Sequence, residues 1–567
     1  MKNTSNRHFP KKTNTYIQST FAVNPFKIPR NYRQLILEHI RVPPKITFNG
    51  KGFICALITS RCHVGCAHCM FSSNMAEKRN SFNTMTSTRV DRLMKLVTDS
   101  KTDFLLVSGG GEGFLELDLI EHIAKKSTAS LTWLVTSAFW AKKNENAKKI
   151  LKKIYCAHIE CKKNNPSRKL CIRVSIDTPH INQLHDAQAC KFQHIKNLVY
   201  FFENTHTLQK DFFLQLHSLE GEEALIESLR KMLNAEKLPP TSEIHTAEKF
   251  TEHAITLKMP SGYCFEVTFA KLLLSDTAVD LRNEASLTDR ISIWEKDAFI
   301  NQKGLAGSHL NIDGKIGCDM LVVYDGRVAG GWQSEMPDVP INIDVDSYQE
   351  IIAKSFNDPG VLATIERGLS YRFKIIDEVN KKASLRAKAV NIRDYTSSIL
   401  LEEDTTKLYY TVRAIQDFIA EGRLSSDSIN WPQPLAALIM TSKEDLEYLY
   451  NSAQYDIIRQ FEETEPGFSE LSKAILDYAQ NLDSKALLKV AHNAAGSNWN
   501  LDKWRLLLKR INNGWYKIHS WNKTELAHIH EIEQLIHQSL SNSAGIYEGL
   551  SRFNFHQPQD TSKNLTP

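Results

Sequence analysis

The sequence of 567 residues predicts an α/β fold over residues 52 to 275 and a helical region near the C-terminus. Two observations indicate this. Short apolar runs alternate with helical stretches between about residues 52 and 275, and after about residue 390 apolar residues recur at helical spacing. Continuous apolar strands separated by helices favour a parallel sheet covered by helices, either as an open sheet or as a barrel.

Five apolar runs are the predicted strands of the α/β part, at 53–60, 103–109, 131–137, 170–177 and 211–218. The first predicted helix lies in "STRVDRLMKLVTDS", where apolar residues share one face behind the caps Thr86 and Ser87. A long loop between the first strand and this helix holds three cysteines. The sequence therefore places its cysteine cluster at the end of a buried strand.

Composition excludes several classes of protein. The chain has 42% apolar and 24% charged residues, and its net charge of +5 is too small to indicate a nucleic-acid or membrane protein by itself. No run reaches the roughly 18 consecutive apolar residues that a membrane span needs, and the N-terminus has no apolar stretch suited to a signal peptide. We therefore expect a cytoplasmic protein.

The cysteine cluster consists of Cys62, Cys66 and Cys69, spaced as C-x3-C-x2-C. Three closely spaced thiolates can hold three irons of a 4Fe-4S cube and leave the fourth iron open for chemistry. The alternatives are plain buried thiols or a zinc site with His63 or His68 as the fourth ligand. Zinc sites are usually built from two C-x2-C pairs, and the sequence has no second pair.

The cysteine motif resembles that of the radical SAM enzymes, which carry C-x3-C-x2-C in the loop after the first strand of a partial (β/α)6 barrel. A second motif follows the second predicted strand. There Gly110, Gly111 and Glu112 match the family's Gly-Gly-Glu-Pro turn, and Gly113 replaces the proline. The resemblance implies that this turn binds the amino group of S-adenosyl-L-methionine, and glycines with a carboxylate suit the close approach of an ammonium group.

Two more candidate cofactor-binding residues, Ser175 and Asp177, lie in "RVSID" at the end of the fourth predicted strand. The resemblance implies a polar residue here that reaches the methionine carboxylate or the ribose. Asp177 precedes Thr178-Pro179, so its alternative role is to cap a turn.

The resemblance implies two cofactors, a 4Fe-4S cluster and S-adenosyl-L-methionine. Reductive cleavage of S-adenosylmethionine would give a 5'-deoxyadenosyl radical that abstracts hydrogen from the substrate, in an oxidoreductase or transferase reaction. The implied electron donor is a protein such as a flavodoxin or ferredoxin. We expect a peptide or protein as substrate, and expect neither a membrane nor a nucleic-acid partner.

Two alternative functions remain at this point. The same chemistry could act on RNA, with phosphates contacted by residues 1–45, which carry nine Lys or Arg and the single acid Glu38. A zinc-stabilised interaction protein without enzymatic activity is the other alternative.

The region after the predicted barrel resembles a degenerate SPASM or twitch extension. Asp313-Gly314 and Asp325-Gly326 are hairpin signals. Cys318 precedes the second hairpin, but Gly331 occupies the place of the next cysteine, so an auxiliary cluster is not expected. The predicted segments are a basic N-terminal extension at 1–45, a radical SAM core at 46–275, a twitch-like α+β region at 276–388, an all-α domain at 389–555 and a polar tail at 556–567.

Overall fold

A computed structural model describes residues 21–64, 78–81, 83–108, 110–184, 191–205, 211–219, 221–239, 253–270, 308–310, 316–330, 340–379, 404–425 and 431–464, with the single positions 485, 489, 492 and 531. The chain divides into two compact units. The first comprises Met1–Leu274 and Ser286–Ala453, and the second comprises Ser275–Ala285 and Gln454–Pro567. The domain boundaries given above remain a prediction.

The described residues of the first unit contain an 11-stranded sheet. Its strands are β1 (Phe53–Ala56), β2 (Phe104–Val107), β3 (Leu131–Thr136), β4 (Lys169–Ser175), β5 (Phe212–Leu219), β6 (Glu236–Leu238), β7 (His253–Lys258), β8 (Cys264–Ala270), β9 (Ser308–Leu310), β10 (Ile316–Val322) and β11 (Val328–Gly330). Their order is β11-β10-β1-β2-β3-β4-β5-β8-β7-β6, with β9 paired to β10. The pairs from β10 through β8 are parallel, and those of β6, β7, β9 and β11 are antiparallel.

The described helices are α1 (Pro29–His39), α2 (Ser87–Asp99), α3 (Leu117–Lys126), α4 (Asn144–Lys162), α5 (Thr178–Leu184), α6 (Gln193–Thr205), α7 (Glu223–Leu233), α8 (Tyr348–Phe356), α9 (Pro359–Val379), α10 (Asp404–Ala420), α11 (Gln433–Met440) and α12 (Lys443–Thr464). Short 3-10 turns lie at Pro25–Lys27, Gly113–Leu115 and Phe139–Lys142. Among the described residues, no helix combines the length and the apolar character needed to cross a bilayer.

The prediction of a mixed α/β fold with a parallel sheet is confirmed, and each of the five predicted strands is present as β1 to β5. Helices connect the successive parallel strands, as a parallel arrangement requires. The closure of these strands into a partial barrel remains a prediction.

The two faces of the sheet are buried differently. One face packs against the helices that connect the strands, through a continuous core that includes Ile54, Leu105 and Leu134. The second face carries a smaller apolar cluster that includes Phe53 and Trp133. Because side chains alternate along a strand, both faces can be apolar only where the strand is nearly all apolar, which is the pattern seen in β1.

The position of β10 was not predicted from the sequence. It lies between β11 and β1 and runs parallel to β1, with Phe53 opposite Asp319. A Cβ added to Gly52 would lie 2.0 Å from the carbonyl oxygen of Cys318, so glycine permits this close approach of the two strands. The predicted hairpin after β10 is confirmed, since β10 and β11 are antiparallel and Gly326 has a φ of 88°.

The N-terminal helix α1 belongs to a second apolar core. Phe26, Tyr32 and Ile36 are buried together with side chains of α9 to α12, among them Tyr409 and Leu435. The segment 21–42 of the predicted basic extension is thus packed against helices that lie more than 300 residues further along the chain. Its apolar residues, which are helically spaced, explain this burial better than its charge does.

Candidate functional site

The carboxyl ends of β1 and β2 meet directly beside the cysteine loop. Beyond β1 the chain continues to Thr59, which bridges in parallel to Gly110 and in antiparallel to Thr84. Cys62 follows three residues later. Ligand sites of open parallel sheets lie at this edge of the sheet.

The thiol of Cys62 is half-buried. Its sulfur accepts a hydrogen bond from the backbone N–H of Val64 at 3.4 Å, and its side chain packs beside Val64, Leu184 and Phe139. A backbone donor aimed at the sulfur favours the thiolate, which is the form that binds metal. The surroundings of Cys62 therefore fit an iron ligand.

The other two predicted ligands, Cys66 and Cys69, lie outside the described residues, as does His68. Among the residues that the structure does describe, no three His, Cys, Asp or Glu side chains are grouped so that they could hold a metal. His63 is adjacent to Cys62, and its ring meets the ring of Phe139 edge-on with 3.9 Å between the centroids. Burial lowers the pKa of His63, and the nearby Glu112 opposes that shift.

The glycine turn after β2 packs against the backbone that leads to Cys62. A Cβ added to Gly111 would lie 1.9 Å from the carbonyl oxygen of Arg61, and Gly110 has a φ of 74°. The N–H of Glu112 donates to the same Arg61 oxygen at 2.8 Å. These glycines were expected to permit the close approach of a ligand. In the structure, the close approach of the backbone at Thr59 and Arg61 already requires glycine at both positions.

The carboxylate of Glu112 is buried and accepts four hydrogen bonds from the protein. One oxygen accepts from the N–H of Phe114 at 3.1 Å and the hydroxyl of Thr136 at 2.9 Å. The other accepts from the N–H and the hydroxyl of Ser137 at 2.7 and 2.6 Å. A carboxylate has about four acceptor positions, so Glu112 joins the glycine turn to the end of β3. Its role in binding S-adenosylmethionine remains a prediction.

The two ends of the cysteine loop meet at Glu116, which sequence analysis missed. Arg61 donates to one oxygen of the almost fully buried Glu116 carboxylate at 2.5 Å, and Arg79 lies 3.1 Å from the other. Arg61 immediately precedes Cys62, and Arg79 follows the loop. The signal in the sequence was a pair of arginines flanking the cysteines, with an acid shortly after the glycine turn.

Asp177 caps helix α5. Its carboxylate accepts from the N–H of His180 at 2.9 Å and lies 2.7 Å from the Nδ1 atom of the same histidine. The alternative role weighed for Asp177, the capping of a turn, is therefore the one seen here. Leu184 of the capped helix packs against Val64, so Asp177 supports the cysteine loop indirectly. The predicted contact of Asp177 with the cofactor remains a prediction.

Ser175 ends β4 on the second face of the sheet, opposite His217 of β5. Arg173 lies on the same face. Its guanidinium donates to His217 Nδ1 at 2.8 Å and lies 5.7 Å from the ring centre of Trp133, while Thr268 Oγ1 is 2.9 Å from His217 Nδ1. Sequence analysis did not identify this polar group, although alternate polar residues in "LCIRVSID" and "DFFLQLHS" could have indicated it.

The pKa of His217 is well below its ordinary value because of burial and the neighbouring guanidinium of Arg173. His217 is therefore neutral near pH 7. Since its Nδ1 accepts from Arg173, its Nε2 carries the hydrogen.

These observations define an α/β protein whose parallel sheet presents a cysteine loop and a glycine turn at one edge. Residues 48–177 match the family model described as a 4Fe-4S single cluster domain. The matched segment contains the three cysteines, the turn from Gly110 to Glu112, Ser175 and Asp177. Residues 48–177 are thus similar to a 4Fe-4S domain, as the cysteine motif predicted, and the match favours iron over zinc.

A solved structure of a polyhistidine-tagged anSMEcpe with bound AdoMet is similar to 71% of this chain and to 98% of its own chain, at 12% sequence identity and a TM-score of 0.32. A likeness at this TM-score does not establish a shared fold. No curated protein matches the chain at a significant level.

Proposed function

We propose that this protein is a radical SAM enzyme that modifies a peptide or protein. One observation carries the proposal: the loop of Cys62 and the turn of Gly110 and Gly111 are in direct backbone contact at the carboxyl edge of a parallel sheet. The contact joins the N–H of Glu112 to the carbonyl of Arg61 at 2.8 Å. The two motifs that a radical SAM site needs are thereby neighbours in space as well as in order.

The chain's own residues hold and orient the cofactors. The Cys62 thiolate, with Cys66 and Cys69, would bind a 4Fe-4S cluster, and Glu116 holds both ends of the loop through its arginine contacts. When bound, the cluster and S-adenosylmethionine would supply one-electron reductive cleavage of the sulfonium bond and abstraction of hydrogen from the substrate. The carbonyls of the glycine turn are acceptors for the ammonium group of the cofactor.

The second face of the sheet supports a substrate site next to Ser175. Arg173 and His217 provide hydrogen-bond donors there, and the ring of Trp133 provides an apolar wall. Donors beside an aromatic wall suit a peptide, which offers carbonyl oxygens and apolar side chains.

The charge of the N-terminal segment lends little support to RNA as the substrate. Arg30 lies 2.6 Å from Asp404. Arg33 lies 3.6 Å from Asp358, and both of these side chains are buried. These arginines of the basic segment are paired with acids of the protein itself. A peptide or protein therefore remains the substrate class that we propose.

The cofactor part of the proposal is tested by anaerobic reconstitution with iron and sulfide, followed by incubation with S-adenosylmethionine and dithionite. We expect 5'-deoxyadenosine from the wild type and none from Cys62→Ala, Cys66→Ala or Cys69→Ala. Cys156→Ala is the matched control, because Cys156 is exposed on α4, and it should retain full turnover. If the protein instead bound one zinc tightly, took up no iron and formed no 5'-deoxyadenosine, the assignment as a radical SAM enzyme would be wrong.

The substrate class is tested with deuterated material from cells grown in D2O, divided into a peptide and protein fraction and an RNA fraction. Hydrogen abstraction transfers deuterium to 5'-deoxyadenosine, which mass spectrometry detects. We expect enrichment with the peptide and protein fraction alone. Enrichment with RNA would show that the substrate assignment is wrong while leaving the radical chemistry intact.

A further inference from the structure

A basic pocket lies directly after β3, on the outer side of the site. Its volume is about 580 Å³, and it is formed by the turn Phe139–Lys142 and the first turns of α4. Lys142, Lys143 and Lys149 contribute to its wall, together with Glu145. Lys152, which is exposed on the next turn of α4, extends the same positive surface. We call Lys142, Lys143, Lys149 and Lys152 the lysine face.

The positive charge of the lysine face is not neutralised by neighbouring acids. Within the part of the chain that the structure describes, none of its four lysines forms an ion pair, and the nearby Glu145 lies 3.9 Å from Lys148. Other lysines of α4 do have partners, since Lys153 lies 2.7 Å from Glu121 and Lys162 is paired with Asp211. Uncompensated charge is therefore concentrated at the end of α4 that begins beside the site.

The lysine face adjoins the apolar cluster beside Cys62 through the side chain of Phe139. Phe139 lines the basic pocket and also packs beside Cys62 and Val64. The ring of His63 also contacts Phe139, with 3.9 Å between the two ring centres. A molecule seated on the lysine face would thus be close to the iron that Cys62 holds.

We propose that the lysine face is the docking surface of an acidic electron-donor protein of the flavodoxin or ferredoxin class. The inference rests on the proposed function, which requires one electron per cleavage of S-adenosylmethionine. The donor loses one electron and the cluster gains one, and no bond forms or breaks in this step. Since the rate of electron transfer falls steeply with distance, a docking surface that shares Phe139 with the surroundings of the proposed ligand Cys62 is a favourable position.

The chemistry of the face fits a brief, charge-steered encounter. Lysines are flexible, strongly hydrated point charges, which attract an acidic partner over a distance without fixing it in one geometry. Complexes between redox proteins are small and weak, as rapid turnover requires. Phe139, which lines the same pocket, adds an apolar contact beside the lysines.

The test compares reduction of the reconstituted holoprotein by a protein donor and by a small one. The double variant Lys143→Glu/Lys149→Glu reverses two charges of the lysine face. Its matched control is Lys163→Glu/Lys169→Glu, which makes the same charge change near the opposite end of α4, a helix about 28 Å long. Stopped-flow bleaching of the cluster absorbance gives the rate with a reduced acidic flavodoxin and with dithionite.

We expect the lysine-face variant to be reduced by flavodoxin at least about tenfold more slowly at low salt, because steering of this kind changes association rates by about 10- to 1000-fold. The dithionite rate and the iron content should match those of the wild type and the control. The wild-type flavodoxin rate should fall with added salt, and that of the variant should respond much less.

Three results would overturn the proposal: an unchanged flavodoxin rate in the lysine-face variant, an equal loss in the control, or a gel-shift assay in which the lysine-face charges hold RNA and not flavodoxin. Loss of iron or of dithionite-driven 5'-deoxyadenosine in the wild type would instead count against the proposed function, so the two failures are distinguishable.

Discussion

Replacing Glu112 with glutamine tests whether this buried carboxylate acts as a structural acceptor. Each of its two oxygens accepts one backbone N–H, from Phe114 and from Ser137. A glutamine has only one such oxygen. In either orientation of the amide, its NH2 group faces one of these two N–H donors, which then loses its acceptor.

The free-energy cost of Glu112→Gln follows from the loss of that hydrogen bond. A hydrogen bond to a charged acceptor contributes about 1.5–3 kcal/mol, and a buried donor left without a partner costs about 1–3 kcal/mol. The hydroxyls of Thr136 and Ser137 can rotate and accept from the amide, so their contribution falls only in part. We therefore expect Glu112→Gln to ease local opening around the end of β3 by about 2–3 kcal/mol, a factor of about 30 to 150.

Hydrogen–deuterium exchange of peptides covering residues 131–143 measures this opening directly. The control is Glu121→Gln on α3, because the Glu121 pair with Lys153 is largely exposed and should contribute less than about 1 kcal/mol. Unchanged exchange in Glu112→Gln, together with lost S-adenosylmethionine binding, would refute the reasoning and assign the carboxylate to the ligand.

Three further predictions concern iron, the glycine turn and pH. The reconstituted protein should bind about four irons per chain by colorimetric assay, and the variant lacking all three motif cysteines essentially none. Gly111→Ala should lower both iron content and thermal stability, whereas Gly113→Ala should change neither, because a Cβ at Gly113 meets only side-chain atoms, the nearest at 3.5 Å. The free energy of unfolding should fall between about pH 6.5 and 4 and fall less in His158→Leu, as measured by urea titration at pH 7 and 5.

The sign of the pH prediction follows from burial. Burial, with Arg168 and Lys162 nearby, lowers the pKa of His158 to about 4, so the unfolded chain takes up the proton first as the pH falls and gains stability relative to the folded one. Between pH 6.5 and pH 5, one such histidine lowers the free energy of unfolding by at most about 2 kcal/mol. The pH prediction is contradicted if the free energy of unfolding falls as much in His158→Leu as in the wild type. The iron prediction is contradicted if the variant without the motif cysteines retains several irons. The prediction for the glycine turn is contradicted if Gly111→Ala binds a normal amount of iron.

The strands β1 to β5 were predictable because each is a short apolar run between helical stretches, which is a local property. The place of β10 was not, since its pairing with β1 joins residues 266 positions apart, as in the hydrogen bond from Phe53 N–H to Asp319. The burial of α1 was missed for a similar reason. Its residues were predicted only as part of a basic N-terminal extension, while the partner helices that cover its apolar face lie more than 300 residues further along the chain.

The site was predictable where spacing carries chemistry, as in the cysteine motif and the glycine turn, which both lie in the segment 48–177 that matches the 4Fe-4S single cluster domain. The contacts that hold those motifs were not predictable. Glu116 is a single acid in a sequence with 65, and only its position beside Arg61 distinguishes it. Asp177 is the exception, because its place before Thr178-Pro179 already indicated that it could cap a turn. Sequence patterns thus identify the ligands of such a site more readily than the residues that position them.

The packing of α1 has a consequence for how the chain is made. Asn24 donates to the carbonyl of Leu449, which is synthesised 425 residues later. Helix α1 therefore waits, with Phe26, Tyr32 and Ile36 uncovered, until almost the whole first unit has been translated. Truncation of the N-terminus past residue 25 would accordingly remove part of a core that forms late, rather than trim a dispensable leader.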